Sequence, residues 1–160
     1  VMTGRTPYQG RFEGTSIGDK EAVYRAFSLT KADKLKDKKF AILSGGEKQK
    51  IVIARAVAQT TPWMLLDEPI ASLDIKNQIE IMQTLLELNR QEGVSVLMVL
   101  HDINLAGIYC DRLIMLKDGQ VIAAGNTNEC LCEENLKKLY DISFFHMDTK
   151  KGQRYYYAEI

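Results

Sequence analysis

The stretch from Trp63 to Leu100 constrains the fold of this chain more than any other. It opens with a short apolar run, Trp63-Met64-Leu65-Leu66, continues after Asp74 with a helical stripe at Ile75, Ile79, Met82, Leu85 and Leu86, and closes with the apolar run Val94 to Leu100. The stripe predicts an amphipathic helix ending near Gly93, a residue type that tolerates a left-handed helix end. A near-continuous apolar run predicts a strand buried on both faces of a parallel sheet. Strand, helix and strand in that order form a βαβ unit.

The remaining sequence arranges itself around that unit. Residues 1–43 read as a small, mainly helical lobe, turn-rich at Thr6-Pro7, Gly10, Gly14 and Gly18, with a short helical pattern after Asp19 that carries Val23 and Phe27. Residues 44–126 carry the sheet-forming core. Within them, Ile51, Ala54, Val57 and Ala58 recur at helical spacing before the breaker Thr61-Pro62, and a short helix is expected around Asn104 to Tyr109. Arg112 to Leu116 and Val121 to Ala124 flank Lys117-Asp118-Gly119-Gln120, a hairpin signal. Residues 127–160 add a helix from about Glu133 to Tyr140 and a tail in which Phe144-Phe145 and Tyr155-Tyr156-Tyr157 bracket Lys150-Lys151-Gly152, a second hairpin.

Composition removes several function classes. The 21 Lys plus Arg balance the 21 Asp plus Glu, so no global basic field recruits nucleic acid or anionic lipid. Neither apolar run approaches the twenty or so residues of a membrane span, so any membrane association is expected through another protein. The first residues, Val1-Met2-Thr3-Gly4-Arg5, lack the pattern of a signal peptide and read as an internal cut. Cys110, Cys130 and Cys132 form no disulfide-like framework and read as reduced thiols, with Cys130 and Cys132 as helix filler.

Four short segments carry chemistry. Leu43-Ser44-Gly45-Gly46-Glu47 stands where a loop becomes a helix, and its structural reading is a capping box between Ser44 and Glu47. The two glycines add something: a helix's first turn gains nothing from flexible residues unless a group must approach the backbone closely. Free amides and the positive end of the helix dipole favour an anion there, and phosphate is the obvious candidate. Asp67 and Glu68 leave the first apolar strand, and ligands of open α/β sheets bind outside the carboxyl ends of strands. Such an Asp can hold Mg²⁺, and the next carboxylate can orient or deprotonate a water; the alternative is a solvated acidic pair at a strand exit. Ser72 or Asp74 is expected to cap the following helix. His101 follows the second strand directly, so it is expected at the same sheet edge as Glu68, against the plainer reading of a structural histidine.

Leu43 to Gln49, Leu65-Leu66-Asp67-Glu68-Pro69, Ser72-Leu73-Asp74 and His101-Asp102 occur in the order and approximate spacing of the ABC ATPase family. They resemble its signature motif, Walker B strand, D-loop and switch histidine, and the similarity runs from about Val1 to Tyr140. The resemblance implies an α/β, P-loop NTPase fold in part: a helical lobe plus the C-terminal part of the parallel-sheet core. Gly4 to Tyr8, Asp74 to Gln78, His101 to Ala106 and Glu133 to Leu136 are further similar to importers of iron–siderophore, haem or cobalamin. By resemblance, Glu68 is the general base, Asp67 the Mg²⁺ partner and His101 the γ-phosphate sensor. Ser44, Gly45, Gly46, Glu47 and Asp74 would contact nucleotide, with ATP bound mainly to the opposite subunit. The same resemblance implies a second ATPase subunit, an integral membrane permease, and a cytoplasmic location on the inner face of the plasma membrane.

The chain also departs from that family. The phosphate-binding loop G-x-x-x-x-G-K-[ST] is absent, with no Gly-Lys pair anywhere, and Gly14 to Lys20 has the wrong spacing. Gln9 lies on the wrong side to be the family's Q-loop glutamine, and Ile70 stands where relatives usually have Thr. A truncated form, inactive by itself and with uncovered apolar sheet surface, is the expectation. The rival readings are a chromosome-maintenance or DNA-repair ATPase, which the zero net charge and lack of heptads disfavour, and a non-catalytic dimerising or permease-docking module. The lobe before Ser44 is the expected docking surface, with Arg5, Tyr8 and Arg11 as its exposed residues.

Overall fold

The structure, a computed structural model, describes residues 1–8, 14–150 and 152–159. Gln9, Gly10, Arg11 and Lys151 therefore lie outside the described residues. The chain divides into two compact units, Val1–Val99 and Leu100–Ile160.

The first unit begins with a 3-10 helix, Met2–Tyr8, followed by helix α1 (Ile17–Leu29). Helix α1 starts before the expected Asp19, because Ser16 is its cap: Ser16 Oγ accepts from Asp19 N at 3.0 Å and the Asp19 carboxylate accepts from Ser16 N at 3.0 Å. Asp19 is thus a capping-box acid rather than the residue ahead of the helix. Helix α2 (Gly45–Val57) packs on α1, and Val23, Ala26, Phe27, Ala32, Leu35, Leu43, Ala54 and Ala58 form their shared core.

Arg5 ties these pieces together. Its Nε donates to Asp19 Oδ1 at 2.8 Å and its Nη1 to Ala58 O at 2.9 Å and Thr60 Oγ1 at 3.1 Å, while the guanidinium lies 4.1 Å from the Tyr8 ring centroid. The side chain is 12% exposed, so Arg5 is a structural clamp and not the exposed docking residue expected from sequence. The Arg5 hydrogen bond, helped by those from Ser16, holds the Asp19 carboxyl down at about 2. Close packing also fixes Gly4, where a Cβ would collide with the carbonyl of Arg55.

Strand β1 (Trp63–Leu66) pairs in parallel with β2 (Ser95–Met98), register Leu65↔Leu97, across helix α3 (Ile75–Glu92). The βαβ unit is therefore as expected, with Gly93 closing α3 at φ 66°. Two details differ. The buried face of α3 runs through Ile81, Met82, Leu85 and Leu88, whereas Ile75 at the first turn is 74% exposed. The strands are also not buried on both faces: Met64 is covered, but Trp63, Leu65, Leu97 and Val99 present an exposed apolar face, Leu65 at 73%. Two-sided burial requires a layer on each side of a sheet, and among the described residues only one side of this two-stranded sheet is covered.

The second unit holds helix α4 (Ile103–Tyr109), the hairpin of β3 (Arg112–Lys117) and β4 (Gln120–Asn126), helices α5 (Thr127–Cys130) and α6 (Glu133–Tyr140), and the hairpin of β5 (Phe144–Asp148) and β6 (Arg154–Ala158). Asp118 and Gly119, both at positive φ (50° and 75°), make the first turn, as an Asp-Gly pair should. Cys130 ends α5 and Cys132 precedes α6, so the pair flanks a helix junction instead of filling one helix. Met115, Cys130, Leu131, Leu136 and Tyr156 form the core. The tail hairpin is fastened by Asn104, whose side-chain amide exchanges hydrogen bonds with the Tyr156 backbone (2.8 and 3.2 Å), and by the Tyr156 hydroxyl donating to Leu131 O. Among the described residues no helix is long and apolar enough to cross a membrane.

Candidate functional site

Helix α2 starts with the capping box. Glu47 N donates to Ser44 Oγ at 3.3 Å and Ser44 N to Glu47 Oε2 at 2.9 Å, while Lys38 Nζ reaches Glu47 Oε1 at 3.0 Å. The Ser44 amide, then Lys38, hold the Glu47 carboxyl below its ordinary range. The box engages the amides of Ser44 and Glu47, and the Gly45 amide, at the exposed first turn, takes no part in it. That amide and the helix dipole are suited to an anion.

The two glycines do different work. A Cβ on Gly45 would meet only Leu73 Cδ2 at 3.5 Å, ordinary contact, whereas one on Gly46 would collide with Oδ1 and Cγ of Asn77. Sequence reasoning assigned both to the approach of an external group; for Gly46 the approaching group is Asn77 of the same chain.

Asp67 and Glu68 leave β1 exposed at the carboxyl edge of the parallel pair, where Val99 N still donates to Leu66 O at 3.0 Å. Glu68 has φ 44°, in the left-handed region, although it is neither Gly nor Asn and directly precedes Pro69, a position biased to extended backbone. Its carbonyl accepts from Ala71 N at 3.1 Å, and that of Ile70 from Leu73 N at 3.3 Å, making two successive turns. Pro69 and Ile70 are buried beneath them, which explains an apolar residue at Ile70 without any chemical role. Ser72 also has positive φ, 61°. No periodicity in the sequence signals either strained residue.

Asp74 is the cap of α3. Its Oδ1 accepts from Asn77 N and its Oδ2 from Asn77 Nδ2, both at 2.8 Å, and these bonds lower its carboxyl from the usual value. Of the residues named from sequence, the first unit thus holds Ser44, Gly45, Gly46, Glu47, Asp67, Glu68 and Asp74, with the α2 start touching the 73–77 segment. His101 is exposed and belongs to the second unit, just before Asp102, whose carboxylate caps α4 by accepting from Asn104 N and Leu105 N at 2.9 Å.

A parallel βαβ unit with acids at its carboxyl edge, beside a lobe that ends in a glycine-marked helix start, defines part of an ABC-type ATPase domain. Residues 5–71 match the family described as ABC transporter. The chain is 39% identical over 148 residues to the ferric enterobactin transport ATP-binding protein FepC of Escherichia coli (strain K12), covering 92% of this chain and 55% of that protein. It is 40% identical over 143 residues to the probable siderophore transport system ATP-binding protein YusV of Bacillus subtilis (strain 168), covering 89% and 52%. Among solved structures, a metal-chelate type ABC transporter in an inward-facing conformation superposes with a TM-score of 0.93 at 26% identity, over 99% of this chain and 65% of that one. The chain is thus similar, over about nine tenths of its length, to ATP-binding proteins of ABC transporters. It spans about half the length of the curated relatives it matches.

Proposed function

We propose that these residues form the signature, Walker B, D-loop and switch-histidine part of the ATP-hydrolysing subunit of an ABC importer for a metal chelate of the iron–siderophore, haem or cobalamin type. In this reading Glu68 accepts the proton of the attacking water and His101 senses the γ-phosphate. Ser44 and the amides of Gly45 and Gly46 grip a phosphate of ATP held mainly by a second copy of the subunit, with Glu47 fixing that turn and Asp74 completing the nucleotide contacts. Asp67 is a hard oxygen donor of the kind that suits Mg²⁺, which when bound neutralises phosphate charge. The subunit acts at the cytoplasmic face of the membrane through a permease, with the lobe around α1 as the docking element.

The observation that carries this reading is the backbone of Glu68. A non-glycine residue in the left-handed region costs on the order of 1–3 kcal/mol, and such strain collects at functional sites. Here it falls on the one carboxylate the proposed chemistry needs as base.

These 160 residues contain no Gly-Lys pair, so the cradle for the triphosphate is not among them. The 160-residue chain alone is therefore expected to bind ATP·Mg more weakly than about 1 mM and to release phosphate at the background rate. The native-length protein, in the same calorimetric and phosphate-release assays, is expected to turn over. A native-length protein without turnover overturns the proposed function; steady turnover by the 160 residues alone overturns the division of labour between cradle and base.

A further inference from the structure

The contact between Gly46 and Asn77 joins two segments that the sequence treats as separate motifs. Asn77 is not free to swing away: its backbone N–H and its side-chain Nδ2 both donate to the Asp74 carboxylate at 2.8 Å. Its Oδ1 is thereby held against the Cα of Gly46, where no Cβ fits. About one turn further along the same pair of helices, Lys50 Nζ meets Glu80 Oε2 at 2.7 Å, a partly buried ion pair that lowers the Glu80 carboxyl. Leu73 lies beside Gly45 at the other end of the contact. The start of α2 and the turn from Leu73 to Asn77 thus meet at Gly46 and Asn77, and the Lys50–Glu80 pair ties the two helices together beyond that contact.

We infer that Asn77 is a positioning residue: by bridging Asp74 to Gly46 it makes the phosphate-gripping turn and the segment at Asp74 move as one body. This rests on the nucleotide-contact role proposed for both. It also assigns Gly46 a different reason for being glycine from Gly45: an internal latch rather than room for a ligand. Displacing the turn by as little as an ångström would misplace its amides relative to a bound phosphate, enough to weaken the interaction severely.

The test is a double-mutant cycle in the native-length protein. Gly46→Ala is expected to lower the midpoint of thermal unfolding without nucleotide by roughly 5 °C, as overpacking does. Gly46→Ala with Asn77→Ala is expected to regain at least half of that, because the obstructing amide is gone. In ATP hydrolysis, Asn77→Ala alone is expected to raise KM for ATP by roughly 3–10-fold with kcat within about twofold, since slack in the turn weakens the grip on bound nucleotide. A merely structural role would lower kcat in step with the folded fraction and leave KM unchanged. If Gly46→Ala is tolerated, if the second substitution recovers nothing, or if KM for ATP does not move, the latch is overturned. The thermal arm reads the contact without ATP, so it can succeed even where the protein proves not to hydrolyse nucleotide, which separates failure of the latch from failure of the proposed function.

Discussion

Glu68→Gln in the native-length protein is expected to reduce ATP turnover by at least roughly 100-fold, the scale of a lost general base, while ATP binding persists. The amide has nearly the shape of the carboxylate and adds no demand on the backbone, so the φ of 44° and the turn through Ala71 are retained. What it loses is the ability to take up the proton of an attacking water. Nucleotide then stays bound instead of being consumed, and the nucleotide-bound dimer is expected to become long-lived on gel filtration with ATP·Mg. Single-turnover phosphate release separates this from slow product release, because a missing base slows the first turnover itself. Hydrolysis by Glu68→Gln within a few-fold of wild type would remove Glu68 from the chemistry and leave its backbone strain without a functional reason.

The elements with strong local signals were legible in the sequence. Strand β1 ends where the carboxylates begin, α3 stops before Gly93, Asp118-Gly119 turns the hairpin, and Glu133 to Tyr140 is a helix. Each depends on neighbours within a few residues. Burial was less legible because it depends on what lies across the fold. The stripe read through Ile75 and Ile79 is displaced toward Ile81 and Leu88, and the strands' exposed face departs from two-sided burial while agreeing with the uncovered apolar sheet surface that was also expected. An apolar run states only that a strand can be covered on both faces.

The motif residues of the candidate site could be named from sequence because they cluster in short segments with a known order. The contacts that hold them could not. Asn77 looked like an ordinary polar residue near a helix start, and only the structure sets it against Gly46, thirty-one positions earlier. Glu68 before Pro69 gave no hint of positive φ, since the pre-proline bias points the other way. Arg5 was misread for a related reason: an arginine in a polar, turn-rich segment looks solvated until its partners at Asp19, Ala58 and Thr60 come together.

Arg5→Met is expected to be among the most damaging substitutions in the lobe, lowering the thermal midpoint by on the order of 10 °C. Methionine keeps much of the apolar stem and removes the charge, so the loss reports the clamp rather than a cavity. Three partners lose their donor at once: the buried Asp19 carboxylate, the carbonyl of Ala58 at the end of α2, and the Thr60 hydroxyl. Asp19 would keep only its Ser16 bonds, and a buried carboxylate without its cation is costly. Arg5→Met with Asp19→Asn is therefore expected to be less unstable than Arg5→Met alone, because the orphaned charge is gone. The pH dependence provides a second check. Asp19 has its folded value lowered to about 2 from 3.8, so its stabilising contribution is complete above the higher value and is lost as pH falls toward the lower. The difference in midpoint between wild type and Arg5→Met is accordingly expected to be constant near neutrality and to shrink as pH is lowered from about 4 toward 2. A difference that is small at neutral pH, or that does not narrow in acid, would show that Arg5 does not hold the lobe through Asp19.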